Sequence, residues 1–347
     1  MGERLNPALE HPHETGPAAG ELVELLDGIY WMRIPIPFEL NHINVWLLEE
    51  ENSFTLVDTG IFAEQAVSLW QDFLKGGLRG KPLGRVIVTH FHPDHIGMAS
   101  WLLDAAGAQY RTSKETEEMS TFLLENSDAP PGEDRETFYK QHGVKNVSLF
   151  EDFFRGKYYS EIISGKAACD AHLQHGEKIR VGGDEWQVLM AYGHAPGHVT
   201  LFSPQKNCLI SGDQLLPTIT TNIAVHATAP EANPLQEFID SFELFRVLPR
   251  DVLVMPAHGL PFRGVEKRLD QLQQHHEDTL ASTYEICHTP KNTIDIVPRL
   301  FRRELTGLNE VLAFGETLAH LNYLYLQGKL SRFIDKERYY FKQAVQA

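Results

Sequence analysis

The stretch His90-Phe91-His92-Pro93-Asp94-His95 constrains this chain more than any other. It follows the apolar run Val86-Ile87-Val88 and precedes an apolar helical pattern, so it reads as the turn from a strand into a helix. Strand side chains alternate with a period of two, which points His90 and His92 the same way. Asp94 and His95 then open a helix whose body runs from Ile96 to Leu103. Two pairs of metal-binding side chains therefore converge at one strand end, which suits two adjacent metal ions. Histidine is common here, 17 of 347 residues, so one His-x-His pair carries little weight. The full His-x-His-x-Asp-His pattern arises by chance in roughly one chain in several hundred of this composition, and that rarity sets it apart.

Further along, metal-binding residue types recur where apolar strands meet Gly or Pro loops. Tyr192-Gly193-His194-Ala195-Pro196-Gly197-His198 ends one strand, Leu209-Ile210-Ser211-Gly212-Asp213 a second, and Met255-Pro256-Ala257-His258-Gly259 a third. Upstream, Val57-Asp58-Thr59-Gly60 closes another strand. There Asp58 is either a turn residue or a carboxylate that orients a ligand histidine from behind. His194 is open in the same way, between a contact behind the ligands and a structural strand-end residue. Asn222 and His226, in the run after Asp213, are candidates for substrate contact or for loop packing.

The length allows two domains, and a 42 % hydrophobic fraction is ample for a core. No segment approaches the ~20 apolar residues of a membrane span. A formal net charge of −16 disfavours nucleic acid as a partner. Cys169, Cys208 and Cys287 are odd in number and widely spaced, so they read as reduced thiols rather than a disulfide framework. Residues 1–20 lack an apolar signal core and read as a disordered tail, which leads to the expectation of a cytoplasmic protein.

Residues 21–265 alternate strand and helix signals, interrupted at about 112–165 by a helical insertion. Its aromatics, Phe150, Phe153, Phe154, Tyr158 and Tyr159, line either a lid over the pocket or a small core of their own. The turn Asp128-Ala-Pro-Pro-Gly separates its two helical patterns. Residues 266–347 change character: a polar helix over 266–280 with solvent-facing His275 and His276, helices over 300–305 and 309–327, then a small β-wing. They read as a C-terminal winged-helix-like module.

With its motifs in this order over about residues 20–265, the chain resembles the metallo-β-lactamase superfamily. Its nearest branches in pattern are glyoxalase-II-like thioesterases and the β-lactamase-like proteins with a C-terminal winged helix. The resemblance implies an α/β fold, an αββα sandwich with the site at one edge of its two sheets. It implies that His90, His92 and His198 hold one metal, that Asp94, His95 and His258 hold a second, and that Asp213 bridges them. Two divalent ions are implied, zinc first, with manganese or iron as alternatives. The C-terminal region lacks identifiable basic residues for glutathione carboxylates.

The expected function is a metal-dependent hydrolase of a small-molecule ester, thioester or lactone, in which metal-activated hydroxide attacks an acyl carbon and Asp94 orients the nucleophile. A phosphodiesterase or RNA endonuclease using the C-terminal module, and an iron-dependent sulfur dioxygenase, are the alternatives. The expected partner is a small-molecule substrate, with no nucleic acid, no membrane, and room for a homodimer.

Overall fold

A computed structural model of the chain describes residues 5–38, 40–77, 80–127, 133–148, 150 and 156–345. Strands β1 (Val23–Leu26), β2 (Ile29–Pro35), β3 (His42–Glu49), β4 (Phe54–Val57), β5 (Leu83–Ile87) and β6 (Gln109–Arg111) form a sheet in that order. The first four run antiparallel, with short turns between them, while β4, β5 and β6 run parallel. Parallel strands need crossovers. Helix α1 (Glu64–Asp72) provides the first, and α2 (Pro93–Ile96) with α3 (Ala99–Ala106) the second. A second sheet, in the order β11-β10-β9-β8-β7, comprises β7 (Lys178–Val181), β8 (Asp184–Ala191), β9 (His198–Ser203), β10 (Cys208–Gly212) and β11 (Leu253–Pro256).

The two sheets face each other across Trp31, Trp46, Trp186, Val188, Leu201 and Ile210. Strands buried on both faces explain why β3, β4 and β10 read as largely apolar runs. Trp70 and Leu102 cover the outer face of the first sheet. The outer face of the second sheet is covered by the later helices. The layers are therefore helix, sheet, sheet, helix, as the αββα expectation has it.

Helix formation after the histidine motif is interrupted. Met98 donates its backbone N–H to Gly60 O (3.0 Å) and Thr59 Oγ1 (3.1 Å), and a Cβ at Gly97 would lie 2.7 Å from Gly60 O. The Asp58-Thr59-Gly60 turn occupies the space a continuous helix over 95–105 would need, so α2 and α3 are separate.

Residues 5–20 are tied down, which corrects the disordered-tail expectation for them. Leu9 is buried, Glu10 pairs with Arg263, and Asn6 Nδ2 donates to Pro217 O and Gln271 Oε1. The insertion divides between two cores. Helices α4 (Lys114–Glu125) and α6 (Gly156–Ile162) place Leu123, Leu124, Tyr159 and Ile162 against the first sheet's outer cluster. Between them, Phe138 and Tyr139 of α5 (Glu133–Gln141) and Phe150 beyond it instead join the cluster under the second sheet. The turn at 128–132, Phe153 and Phe154 lie outside the described residues.

Helices α7 (Pro234–Asp240), α8 (Phe242–Arg246), α9 (Val265–Ile286), α10 (Thr293–Leu300) and α11 (Leu308–Leu326) follow, and the hairpin β12 (Leu330–Asp335)–β13 (Arg338–Gln343) ends the described chain. The expected helix over 300–305 is a loop, and helix forms over 293–300, where Asn292 and Asp295 make a capping box. His276 is buried against His320, not solvent-facing. No described helix is long and apolar enough to cross a membrane.

Candidate metal centre

Loops from both sheets meet at one edge. There Val199 N donates to Thr89 O (2.8 Å) and Asn44 N to Ala257 O (2.7 Å), stitching the sandwich shut beside the histidines. Two groups of side chains gather at this edge. His90, His92, His194 and Asp213 form one and Asp94, His95 and His258 the other, with the ligand atoms of each group within 4.8 Å of one another. Asp213 reaches both: Oδ2 lies 3.5 Å from His194 Nε2 and from His95 Nε2, and Oδ1 lies 3.4 Å from His258 Nε2. Asp94 Oδ2 closes the second group at 3.2 Å from His258 Nε2 and 3.6 Å from His95 Nε2.

The outward-facing ring nitrogens fix which atoms face the centre. His258 Nδ1 donates to His42 O (2.8 Å), His194 Nδ1 to Asn222 O (2.7 Å), and His95 Nδ1 to Asp58 Oδ2 (2.9 Å). Each therefore carries its proton on Nδ1 and turns the Nε2 lone pair inward. His90 contacts Thr89 Oγ1 through Nδ1 (3.1 Å), so its Nε2 also faces in, 2.8 Å from His92 Nδ1 and 3.1 Å from His194 Nε2. Lone pairs this close repel unless a proton or a cation lies between them. His95 Nε2, His258 Nε2 and Asp213 Oδ1 are buried with no hydrogen-bond partner, a state that is costly unless an ion satisfies it. The donor set of imidazole and carboxylate fits divalent metal ions.

The electrostatics divide along the same line. Burial, reinforced by neighbouring histidines, pushes His90 well below the usual histidine range and His92 to about 3, and burial lowers His194 too. Burial also opposes charge on His95 and His258, but the carboxylates outweigh it: Asp58, Asp94 and Asp213 raise His95, and Asp213 with Asp94 raises His258. Burial disfavours the Asp94 carboxylate, yet His95 and His258 hold it at about 2. The histidines of the first group are thus held neutral, while those of the second are held toward the charged form by the carboxylates around them.

Of the expected ligands, His90, His92, Asp94, His95, Asp213 and His258 stand in these groups, and His198 does not. This is a correction. His198 lies within β9, opposite Ala191, and its ring stacks on that of His90 (centroids 4.7 Å apart, 25° between planes). Its Nε2 accepts a hydrogen bond from Asp213 N (3.2 Å), and a Cβ at Gly212 would come within 2.5 Å of it. His194, expected behind the ligands or as a structural residue, occupies the place left for His198.

Asp58 sits behind His95. It adopts φ 61°, and its other oxygen accepts from Thr89 N (2.8 Å). Asn222 acts through its main-chain carbonyl on His194, while His226 is half-buried beside His194, and burial pushes its imidazole down to about 4. Two residues carry signals the sequence reading missed. Thr89 Oγ1 hydrogen-bonds to Asp58, and Asn44 Nδ2 donates to Pro256 O (2.9 Å) and Gly259 O (2.8 Å), clamping the His258 loop. A polar residue inside the apolar run Ile43-Asn44-Val45-Trp46 was the available signal for Asn44.

Residues 39–258 match the family model of the metallo-β-lactamase superfamily, and residues 280–344 match that of the metallo-β-lactamase-like C-terminal domain. A β-lactamase domain protein from Burkholderia ambifaria, known from a crystal structure, superposes with a TM-score of 0.89 at 35 % identity, covering 97 % of this chain and 98 % of that one. The probable metallo-hydrolase YqjP of Bacillus subtilis is 24 % identical over 330 residues, 90 % of this chain and 96 % of that protein. Hydroxyacylglutathione hydrolase GloC of Haemophilus influenzae is 25 % identical over 239 residues, 68 % of this chain and 93 % of that protein. The matched stretch contains both side-chain groups, and the chain belongs to the metallo-β-lactamase superfamily of divalent-metal hydrolases.

Proposed function

We propose that the protein is a dinuclear-metal hydrolase of a small-molecule ester, thioester or lactone, with thioesters first. The observation that carries this reading is the pair of side-chain groups joined by Asp213, whose two oxygens reach toward histidines of both. His90, His92 and His194 would hold one ion, Asp94, His95 and His258 the other, and Asp213 would bridge. Zinc fits the donor set, with manganese and iron as alternatives. When bound, such ions supply Lewis acidity and bring the pKa of a coordinated water toward ~7.

The chain's own residues do the positioning. Asp94 is the most open of the carboxylates and ring-bearing groups whose contacts define the second group, with a side-chain exposure of 19 % against 0 % for His95 and 3 % for His258. An ionised carboxylate at the open side can accept a hydrogen bond from the attacking water and carry its proton toward the leaving group. Asp58, Asn222 O and His42 O lock the rings from behind, so the donors need no rearrangement when substrate arrives. Similarity to a hydroxyacylglutathione hydrolase over nearly its whole length supports the thioester class.

The test is release of thiol from short acyl thioesters by metal-loaded protein. Wild type is expected to hydrolyse them, and Asp94→Ala to lose at least about a hundred-fold, the lower range for removing a positioned acid–base group. Full activity in Asp94→Ala with metal content unchanged would remove Asp94 from the mechanism. No thiol release by metal-loaded wild type would move the reading to another ester bond.

A further inference from the structure

Away from the centre, a second set of metal-binding side chains meets beside the edge strand β6. Glu117, Cys169 and His172 each bring a ligand atom within 4.8 Å of the other two. They come from separated segments: Glu117 from the first turn of α4, Cys169 and His172 from the stretch that leads out of the insertion toward β7. We infer that Glu117, Cys169 and His172 form a further metal site, one that takes a zinc-like ion and clips the end of the insertion to the first sheet.

The segment is laid down as a built feature. Asp170 N donates to Tyr110 O (2.9 Å), Leu173 N to Thr112 O (2.8 Å), and Asp170 Oδ2 accepts from Tyr110 N (2.6 Å). Residues 170–173 therefore run along β6 as an added edge. Within this frame Glu117 holds the other two together: Oε1 accepts from Cys169 N (2.9 Å) and Oε2 lies 2.6 Å from His172 Nε2. Cys169 Sγ lies 3.7 Å from Tyr110 O and 4.0 Å from Thr112 O, within reach of the same carboxylate and imidazole.

The donor chemistry selects the ion. Thiolate with imidazole and carboxylate suits zinc, and the thiolate disfavours magnesium and calcium, which prefer oxygen alone. Zinc distances of about 2.0–2.3 Å place tetrahedral ligands about 3.3–3.8 Å apart. The Glu117–His172 contact of 2.6 Å would therefore open by about 1 Å as the ion replaces the shared proton, while separations up to 4.8 Å within the trio would close by about 1–1.5 Å or less. Water completes the fourth position, since His172 is 39 % exposed and Glu117 24 %. Binding forms the metal–sulfur bond and breaks the Cys169 S–H bond, with the proton going to solvent. Near the same end of the insertion, Tyr159 donates its hydroxyl to Phe91 O (2.7 Å), between His90 and His92. A metal at Cys169 would thus anchor a segment that also touches the ligand loop.

Cobalt substitution tests this site separately from the catalytic reading, because the groups at the candidate centre supply only nitrogen and oxygen. Cys208 and Cys287 are buried in other cores, so a thiolate-to-cobalt charge-transfer band reports on Cys169. Wild type loaded with cobalt should show that band and bind one equivalent more metal than Cys169→Ser. His172→Ala and Glu117→Gln should each lose the same equivalent and weaken the band, while metal content at the catalytic groups and any hydrolytic activity stay at the wild-type level. Equal metal content in wild type and Cys169→Ser, with no thiolate band, would overturn the site. A band undiminished in both His172→Ala and Glu117→Gln would overturn it too, since the thiol would then bind cobalt without them.

Discussion

His194 and His198 lie four residues apart, both imidazoles beside the same glycine turns, and only His194 aims its ring into the cluster. The difference is local. His198 is fixed by the ladder with β8, so the strand pleat sets its direction, whereas His194 sits in the loop after Gly193, which adopts φ 96°. His194→Ala is therefore expected to lower the bound metal by one equivalent in elemental analysis. His198→Ala is expected to retain the metal and lose about 1–3 kcal/mol of stability, because Asp213 N is left without its acceptor. The reverse pattern would return the ligand role to His198. Asp58 offers a second case at this scale. Thr89 N–H claims Oδ1, so in Asp58→Asn the amide group would face His95 Nδ1 and force the proton onto Nε2. Metal affinity, measured by chelator competition, is expected to fall about 10–100-fold.

The insertion and the C-terminal helices meet at His142. Its ring stacks on Phe341 (26° between planes), and its Nδ1 contacts Thr293 Oγ1 at 2.8 Å, so α5 is joined to α10 and the hairpin. Burial, with some help from Arg332, pushes this imidazole down to about 3 from the ordinary 6.5. A depressed histidine is neutral when folded. Its contribution is complete above pH ~6.5, the unfolded value, and is lost as pH falls from there toward about 3. The loss is at most about 1.4 kcal/mol per pH unit. Thermal melts from pH 8 to 4 should therefore show a shallower pH dependence for His142→Gln than for wild type, and parallel curves would sink the assignment. The insertion was legible in the sequence as an interruption with aromatics, but its division was not. Periodicity shows that a face is apolar, and cannot show which of two clusters will cover it.

At the level of the whole molecule, one cluster unites the second sheet with everything after residue 264. Leu189, Leu209 and Val254 of the sheet pack with Leu269 of α9 and with Phe314 and Leu318 of α11, each such side chain worth about 2 kcal/mol when fully buried. A chain ending at Gly264 is expected to lose cooperative thermal unfolding, measured by circular dichroism, because it would expose the sheet's outer face. A folded, metal-binding product would instead make residues 266–347 a separable domain. The sequence carried the strand-end motifs, and through their resemblance to the superfamily it pointed to the αββα sandwich and to six of the seven side chains that gather in the two groups. Strand periodicity and residue chemistry are local properties, and His90, His92, Asp94 and His95 are close in the chain. Tertiary structure alone decided which of His194 and His198 faces the cluster, how the insertion is shared, and how residues 5–20 are held. Each depends on contacts between segments far apart in sequence, such as Asn6 with Pro217 and His194 with Asn222, whose partners no local pattern names.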